Sequence, residues 1–251
     1  MKLSYDPSVC PIYEANSSGL VHRGSCLLVK TTNRFWIFTA SHVVVDCTDS
    51  NYRVAPLWLP GKPQFQPIDT ENIHYCPKGI DVAFFEIAAE KAAIVAAGQA
   101  AFLPASALAP LAVITGRALV SGYPDKAVQL DGGELTVEVR QFQLRAPFLT
   151  EQELVRAKLD PSVHVAVHAM NLRDDEATEK TGRINFRGLS GGAIQRDGPR
   201  SAPVALVTDY DPKREIVVGT RLNWLIRQVV RKLEQEKASD QPGGLDAPFS
   251  F

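Results

Sequence analysis

The stretch Arg187-Gly188-Leu189-Ser190-Gly191-Gly192-Ala193 places one serine among three glycines. Glycine adopts backbone angles that other residues avoid, so such a loop can turn sharply and bring backbone amides close to a ligand. An ordinary surface turn can have the same pattern. The loop is therefore a candidate nucleophile site whose interpretation depends on the residues that could assist the serine.

A serine becomes a strong nucleophile only when a base takes its proton, and that base is usually a histidine. All the histidines of the chain precede Ser190: His22, His42, His74, His164 and His168. The pattern Gly-x-Ser-x-Gly also marks the nucleophile of α/β-hydrolases, but there the histidine follows the serine. Chain order argues against that class, and the base is expected upstream of the serine.

The composition describes an ordinary globular protein. The chain has 251 residues, 45% of them hydrophobic, and a net charge of −1. This length suffices for one sizeable core or two small ones, and the charge gives no reason to expect nucleic acid or an anionic membrane as a partner. The N-terminus lacks the apolar run of a signal peptide, and no run of 18 apolar residues occurs. We expect a cytoplasmic protein without a membrane span.

The cysteines and histidines give no sign of a metal site. Cys10, Cys26, Cys47 and Cys76 match no common zinc spacing, and without a secretion signal they are expected to be reduced thiols. The pair His164 and His168 would share one face of a strand, where core or surface roles are more common than metal ligation. The sequence predicts neither a metal nor a cofactor.

Short apolar runs separated by turn residues dominate the chain. Residues 25–30 and 34–40 are two such runs around Thr31-Thr32-Asn33, which predicts a β-hairpin. Further strand-like segments lie at residues 53–59, 66–68, 81–87, 112–122, 133–144, 163–170, 203–208 and 215–219. Many short strands with turn signals predict an all-β barrel or sandwich.

A few segments depart from the strand pattern. Residues 88–110 are expected to form a connector with some helix. Thr150-Glu151-Gln152-Glu153 is a capping box, which predicts a short helix to about Leu159 that Pro161 stops. Thr220 is predicted to cap an amphipathic C-terminal helix, because the apolar residues after it follow helical spacing.

Two upstream residues are suited to assist the serine. His42 follows an apolar run and is flanked by small residues, and Asp81 opens an otherwise apolar strand. A buried carboxylate needs a polar partner, and a histidine ring that must be oriented is one such partner. Each residue also has an ordinary interpretation, as a histidine at a strand end and an aspartate that caps a strand.

Together these segments resemble the chymotrypsin-like (trypsin-like) serine peptidase family, over roughly residues 18–235. Thr39-Ala40-Ser41-His42 is similar to the family's Thr-Ala-Ala-His segment, and Asp81-Val82-Ala83 to its Asp-(Ile/Val)-Ala segment. Gly188-Leu189-Ser190-Gly191-Gly192 is similar to its Gly-Asp/Asn-Ser-Gly-Gly loop, and Gly122-Tyr123-Pro124 to a turn of bacterial members. The order His, Asp, Ser is also the family's order.

The resemblance implies an all-β fold of two six-stranded antiparallel β-barrels with a C-terminal α-helix. It implies an N-terminal barrel with lead-in and connector over 1–110, and a C-terminal barrel plus helix over 111–237. Residues 238–251 are expected to be a disordered tail. With no room for a PDZ domain after the peptidase, the similarity is to bacterial-type members with a single peptidase domain.

The resemblance also implies roles for individual residues. Ser190 would attack the scissile carbonyl, His42 would be the general base and then the general acid, and Asp81 would orient the imidazole. The backbone N–H groups of Gly188 and Ser190 would form the oxyanion hole.

The sequence departs from the family pattern just before the serine. Members that are activated from a zymogen carry an aspartate there, which pairs with a newly cut N-terminus, whereas this chain has Leu189. We expect no activation by N-terminal insertion, and Leu189 leaves open whether the oxyanion loop is fully competent. Cys26 and Cys47 bracket His42 roughly as a family disulfide does, but with a longer offset after the histidine.

The specificity pocket is expected, by the family's pattern, near Ile184 and near Thr208, Asp209 and Tyr210. Ile184 at its base would favour a small or medium apolar side chain, whereas Asp209 would receive a lysine or arginine. The strand at Thr208–Tyr210 is expected to pair with the substrate backbone.

The sequence therefore predicts a serine endopeptidase that acts on a protein or peptide substrate. A peptidase in the cytoplasm must be restrained, so a regulatory protein partner or signal is expected. The alternative is a catalytically silent trypsin-like peptide-binding module, which Leu189 favours. An esterase-like hydrolase on the same three residues is a third interpretation.

Overall fold

The structure is a computed structural model that describes residues 6–17, 19–46, 53–54, 56–69, 72–98, 100–108, 114–124, 128–130, 137–139, 141–169, 188–198 and 202–239. Within these ranges the chain is mostly β, with two large sheets and a long C-terminal helix.

The first sheet has eight strands, and all but one of its pairings are antiparallel. Its strands are β1 (Val9–Asn16), β2 (Gly19–Thr31), β3 (Arg34–Thr39), β6 (Leu57–Leu59), β7 (Gln66–Pro67), β8 (His74–Tyr75), β9 (Ala83–Ile87) and β10 (Leu103–Pro104). They follow the order β7-β6-β1-β2-β3-β9-β8, with β10 pairing parallel to β2. The sheet has eight strands where six were expected, and three of the eight, β7, β8 and β10, are only two residues long. Between β3 and β6 in sequence lie β4 (Val45–Asp46) and β5 (Arg53–Val54), which pair with each other in a separate two-stranded sheet.

The second sheet has six antiparallel strands. They are β11 (Arg117–Gly122), β14 (Phe142–Pro147), β15 (His164–His168), β16 (Ala193–Arg196), β17 (Pro203–Asp211) and β18 (Ile216–Arg221). Their order is β14-β11-β16-β17-β18-β15. An isolated bridge pairs Phe148, directly after β14, with Val167 in β15, so the two outermost strands of this sheet approach each other. A separate hairpin pairs β12 (Val128–Leu130) with β13 (Val137–Val139).

The predicted hairpin is confirmed as β2 and β3, which pair antiparallel from Leu27↔Phe38 to Thr31↔Arg34. The Trp36 indole N–H donates to Thr31 Oγ1 at 2.9 Å and satisfies its polar group at the rim of the core. Burying each large apolar side chain of such a hairpin contributes about 1.5–3 kcal/mol to stability.

The described residues also form four α-helices: α1 (Ser41–Val44), α2 (Ala89–Ala97), α3 (Glu151–Arg156) and α4 (Leu222–Ser239). A short 3₁₀ helix lies at Ala105–Ala107. The capping box at α3 is confirmed, because the Thr150 side chain accepts from the Glu153 N–H while the Glu153 carboxylate accepts from Thr150. The prediction that Thr220 caps α4 is wrong: Thr220 lies within β18, and α4 begins at Leu222. Strand pairing continues to Arg221, opposite Ala205, so the helix starts later.

A shared core joins the two sheets through α4. Leu222, Leu225 and Val229 of α4 are each at most 1% exposed, and their spacing places them on one helix face. They pack with residues of both sheets: Val9, Leu27, Val29, Trp36, Phe38, Phe84, Ala193 and Leu206. α4 therefore covers the junction of the sheets. It extends to Ser239, two residues into the predicted tail, and the rest of that tail lies outside the described residues.

The segment before β1 is hydrogen-bonded to the second sheet. The Asp6 N–H donates to Gln141 Oε1 at 2.7 Å, and Gln141 Nε2 donates to the Asp6 carbonyl at 2.8 Å. The Asp6 carboxylate accepts from the Gln195 side chain on one oxygen and from Ser8 on the other. This segment therefore ties the first strand of the chain to the other sheet.

Candidate active site

Strand pairing in the first sheet brings His42 and Asp81 together. β3 and β9 are neighbours, and Thr39 at the end of β3 lies opposite Ala83 at the start of β9. His42 follows β3 by three residues within α1, and Asp81 precedes β9 by two. The ladder thus places both residues beyond the same end of these two neighbouring strands.

The Asp81 carboxylate holds the His42 ring and backbone at once. His42 Nδ1 lies 2.5 Å from Asp81 Oδ2, and the His42 backbone N–H donates to Asp81 Oδ1 at 3.2 Å. The Ser41 N–H also donates to the Asp81 carbonyl, at 3.4 Å. With Nδ1 directed at the carboxylate, the ring nitrogen that can act as a base is Nε2. The two side chains are 50% and 38% exposed, so solvent and a substrate can reach the pair.

The Ser190 loop is anchored to both sheets by backbone hydrogen bonds. The Ser25 N–H in β2 donates to the Ser190 carbonyl at 2.8 Å. In the second sheet the Gly191 N–H donates to the Val207 carbonyl at 2.7 Å, and the Val207 N–H donates to the Gly192 carbonyl at 2.8 Å. The loop therefore bridges β2 and β17.

Gly191 allows the loop to lie directly against β2. Its φ of +88° is a conformation that side-chained residues rarely adopt, and a Cβ at this position would stand 1.7 Å from the Ser25 carbonyl oxygen. Beside it, a Cβ on Gly24 would lie 2.8 Å from Val43 Cγ2 and 3.1 Å from the Ser190 carbonyl oxygen. Val43 is the neighbour of His42, so the histidine-bearing helix and the serine loop meet at the same short stretch of β2.

Leu189 is a buried contact of the second sheet. Its side chain is 1% exposed and belongs to the core of that sheet. A Cβ on Gly122, at the end of β11, would stand 2.8 Å from Leu189 Cδ2. The residue that departs from the family pattern thus packs into the core, where an aspartate would need a charged or hydrogen-bonding partner.

The backbone amides of the loop differ in their hydrogen bonding within the described residues. Among the described residues, the N–H groups of Gly188 and Ser190 donate no backbone hydrogen bond, whereas those of Gly191 and Gly192 both do. Gly188 has a φ of +92°. The N–H groups of Gly188 and Ser190 thus lie on either side of Leu189 without a backbone acceptor among the residues that the structure describes.

The predicted substrate residues lie on β17 directly after its contact with the loop. Thr208 is 4% exposed, and a bulge there interrupts the pairing of β17 with β18. Asp209 is exposed, and its carboxylate accepts the Tyr210 N–H at 2.7 Å. Ile184 lies outside the described residues.

Cys10 and Cys26 are free thiols that lie opposite each other on β1 and β2. Burial, and to a lesser degree Asp6, raises the pKa of Cys10 to about 12, and burial raises the pKa of Cys26 well above its usual value. Such thiols stay protonated and are poor nucleophiles and ligands. Cys47, the other half of the bracket around His42, lies outside the described residues. Within the described ranges, no three His, Cys, Asp or Glu side chains form a group that could hold a metal.

Sequence reasoning missed Ser25, whose side chain contacts the serine loop. It is completely buried, and its hydroxyl donates to the Gly188 carbonyl at 2.9 Å. The only sequence signal is a small polar residue next to a glycine at the start of an apolar run. Asp6 also has no local sequence signal, because its partners Gln141 and Gln195 lie far away along the chain.

Comparison with known proteins supports the fold. The chain is similar to the crystal structure of AL20, a thermostable serine protease from an extremophilic microorganism, with a TM-score of 0.53, 12% identity, and coverage of 86% of this chain and 91% of that one. It is also similar to a structure from work on the coupled folding and binding of the intrinsically disordered Sesbania mosaic virus VPg protein, with a TM-score of 0.50, 11% identity, and coverage of 88% of both chains.

No protein-family model and no curated protein matches the chain. At these identities the similarities concern the arrangement of the strands. Across the described part of the chain, no helix is both long and apolar enough to cross a bilayer.

Proposed function

We propose that this protein is a serine endopeptidase of the chymotrypsin-like type, in which His42, Asp81 and Ser190 act together. The observation that carries the proposal is the double contact of the Asp81 carboxylate with His42, through the ring Nδ1 and the backbone N–H. A carboxylate that fixes both the ring and its backbone orients Nε2 as a general base, which is what a serine nucleophile requires. Similarity to a serine protease structure adds support at the level of the fold.

The reaction would proceed through an acyl-enzyme. Ser190 Oγ attacks the scissile carbonyl carbon while His42 Nε2 takes the hydroxyl proton, and Asp81 stabilises the imidazolium. The tetrahedral intermediate collapses, the C–N bond breaks, and His42 gives its proton to the leaving amine. Water, deprotonated by His42, then attacks the acyl ester and restores Ser190.

The amides of Gly188 and Ser190 would hold the oxyanion of the tetrahedral intermediate. Within the described part of the chain they have no backbone acceptor, and they lie in a loop that is hydrogen-bonded to both sheets, so they would need little reorganisation during the reaction. One such preorganised donor is worth about 2.7–4 kcal/mol of transition-state stabilisation.

The proposed function also implies a more specific fold than two sheets. Each sheet would close into a barrel, one within 1–110 and one within 111–237, with the site at their junction. The bridge between Phe148 and Val167, which joins the outermost strands of the second sheet, favours closure there. Leu189 would take the place of the activating aspartate, so the loop would not depend on a newly cut N-terminus.

The substrate would be an extended peptide that pairs with β17 at Thr208–Tyr210. The substrate residue before the scissile bond would place its side chain in a specificity pocket. With Ile184 at the base of this pocket, a small or medium apolar side chain would fit. In the alternative, the side chain would be basic and would contact Asp209. The enzyme would act in the cytoplasm, with a regulatory partner or signal that restrains it.

A fluorophosphonate probe tests the proposal, because it phosphonylates only an activated serine. We expect labelling of the wild type, mapped by peptide mass to Ser190, and none of Ser190→Ala. Ser162→Ala is the matched control, since Ser162 is an exposed serine in the turn before β15 and its hydroxyl donates to Asp160. The labelling of this variant should equal that of the wild type. A folded wild type without labelling would contradict the proposal and favour the silent peptide-binding module.

A further inference from the structure

Ser25 has an unusual number of hydrogen bonds for one small residue. It is fully buried in β2, and its N–H donates to the Ser190 carbonyl at 2.8 Å. Its hydroxyl donates to the Gly188 carbonyl at 2.9 Å and accepts the Tyr123 N–H at 2.9 Å. Its own carbonyl accepts from Thr39 Oγ1 at 2.7 Å. Every polar group of Ser25 is therefore used.

The partners of Ser25 are the parts of the candidate oxyanion site. Gly188 and Ser190 carry the two amides proposed to hold the oxyanion, and Ser25 binds the carbonyl of each. Tyr123 belongs to the turn after β11, whose Gly122 is in contact with Leu189. A single residue of the first sheet thus fixes the serine loop and its support in the second sheet.

The bond from the Ser25 hydroxyl restricts a loop that would otherwise be free to rotate. Gly188 and Gly191 both have positive φ, and glycine has little intrinsic barrier against other conformations. Rotation of the peptides around Gly188 would replace an N–H donor with a carbonyl acceptor where the oxyanion must form. The Gly188 carbonyl belongs to the planar peptide between Gly188 and Leu189, which lies between the two peptides that carry the Gly188 and Ser190 N–H groups. Holding this middle peptide in place limits the rotation of the donor peptides on either side of it, which keeps the donors preorganised.

We propose that Ser25 is a positioning residue that sets the orientation of the Gly188 and Ser190 amides through its hydroxyl. The expected effect of Ser25 on kcat rests on the proposed function. Its expected effect on the order of the serine loop does not. Because Ser25 is fully buried and its hydroxyl bonds to the loop and to the turn at Tyr123, we expect it to act on the turnover rate and to leave substrate binding unchanged.

The test uses Ser25→Ala in the full chain with p-nitrophenyl acetate as the substrate. We expect kcat to fall roughly 10- to 100-fold, less than or equal to the loss of a complete oxyanion donor, with KM within about twofold of the wild type. Ser25→Cys, whose thiol fills the site and is slightly larger than the hydroxyl but forms weaker hydrogen bonds, should give an intermediate kcat and a folded protein if the alanine variant folds poorly. An unchanged kcat in both variants, or a loss confined to KM, would overturn the inference.

The matched control is Thr39→Val. It removes another buried hydroxyl that bonds to Ser25, at its carbonyl, and leaves the bonds to Gly188 and Tyr123 in place. We expect a comparable loss of stability and a kcat much closer to that of the wild type. If Thr39→Val lowers kcat as much as Ser25→Ala does, the effect is general destabilisation and the positioning role is wrong.

Hydrogen exchange measured by NMR separates this inference from the proposed function. The Tyr123 amide loses its acceptor in Ser25→Ala, so its exchange, and that of the Gly191 and Gly192 amides, should accelerate at least about tenfold. Faster exchange in a protein whose wild type is inert towards p-nitrophenyl acetate would support the positioning of the loop and contradict the peptidase. Unchanged exchange would contradict the positioning role whether or not the wild type is active.

Discussion

The two sides of the candidate site are held in place in different ways. On the histidine side, His42 and Asp81 follow and precede neighbouring strands, and their side chains are about half and more than one third exposed. On the serine side, residues 188–192 are held by buried hydrogen bonds from Ser25 and by the packing of Leu189. One side depends on a backbone ladder and the other on tertiary contacts between distant segments.

This difference indicates which kinds of substitution should disturb each side of the site. A backbone ladder tolerates changes of exposed side chains because its hydrogen bonds do not involve them. A loop inserted between two sheets has no such tolerance, since protein interiors are close-packed and an added or removed group is felt at once. We therefore expect the serine side to respond to steric changes and the histidine side to respond mainly to changes in its chemistry.

Gly191→Ala should have the largest effect. The new Cβ would collide with the Ser25 carbonyl, and the backbone would remain at a φ that alanine resists. We expect the free energy of unfolding to fall by about 3 kcal/mol or more, together with loss of fluorophosphonate labelling. Chemical denaturation and labelling of the same sample measure both.

Gly116→Ala is the control for that variant. Gly116 has a φ of +90°, close to that of Gly191, but a Cβ there would have no atom within 4 Å. The free energy of unfolding of Gly116→Ala should fall only by the cost of the positive φ for alanine, about 1 kcal/mol. The variant should label as the wild type does. Equal effects of the two variants would show that close approach to β2 is unimportant.

Asp81→Asn should separate chemistry from structure on the histidine side. An amide can still accept from the His42 backbone N–H, but it favours the wrong imidazole tautomer, so we expect kcat to fall about 10⁴-fold. The melting temperature should change little because Asp81 is partly exposed. Asp197→Asn, which alters a carboxylate paired with Arg145 elsewhere in the molecule, should retain full kcat.

Leu189→Ala tests whether the serine side depends on its buried apolar contact. Removing this side chain should destabilise the protein by about 2–5 kcal/mol, as for other buried leucines, and slow labelling even well below the melting temperature. Leu154→Ala in α3 removes an equally buried leucine from a different cluster. We expect Leu154→Ala to lose a similar amount of stability and to label normally. Identical labelling in the Leu189→Ala and Leu154→Ala variants would show that Leu189 does not hold the serine loop in place.

Arg34→Ala should have the smallest effect. Arg34 Nη1 lies 3.0 Å from Glu86 Oε2 on β3 and β9, the strands that carry the histidine side, and both side chains are more than 40% exposed. Exposed pairs contribute about 0–1 kcal/mol, so stability and labelling should be nearly unchanged at moderate salt. A large loss of labelling would mean that the ladder alone does not place His42 and Asp81.

The histidine side is also the part that the sequence predicts well. The hairpin of β2 and β3 and the strand after Asp81 are encoded in local apolar runs. The pairing within the hairpin follows from adjacency, whereas β9 pairs with β3 although β4 to β8 lie between them in sequence. The capping box of α3 is similarly local. The sequence identifies the segments that carry His42 and Asp81 from short local patterns, and the pairing of β3 with β9 brings the two side chains into contact. The catalytic roles of the two residues stay a prediction.

The serine side could be predicted only in outline. Its glycines indicate a sharp turn, but the bond of Ser25 to Gly188 spans 163 residues and has no local pattern. Whether Leu189 faces the core or the solvent also depends on Gly122, which is far away in sequence. Thr220 illustrates the same limit, since a good capping residue was kept in a strand by its pairing partner across the sheet.

The central claim is that the two sides form one catalytic unit, and the labelling rate of His42→Ala tests it most directly. His42→Ala should fold like the wild type, because the side chain is half exposed, and fluorophosphonate labelling of Ser190 should slow about 10²- to 10⁴-fold. Labelling of Ser190 at the wild-type rate in that variant would show that the serine does not use His42 as its base, and would contradict the account.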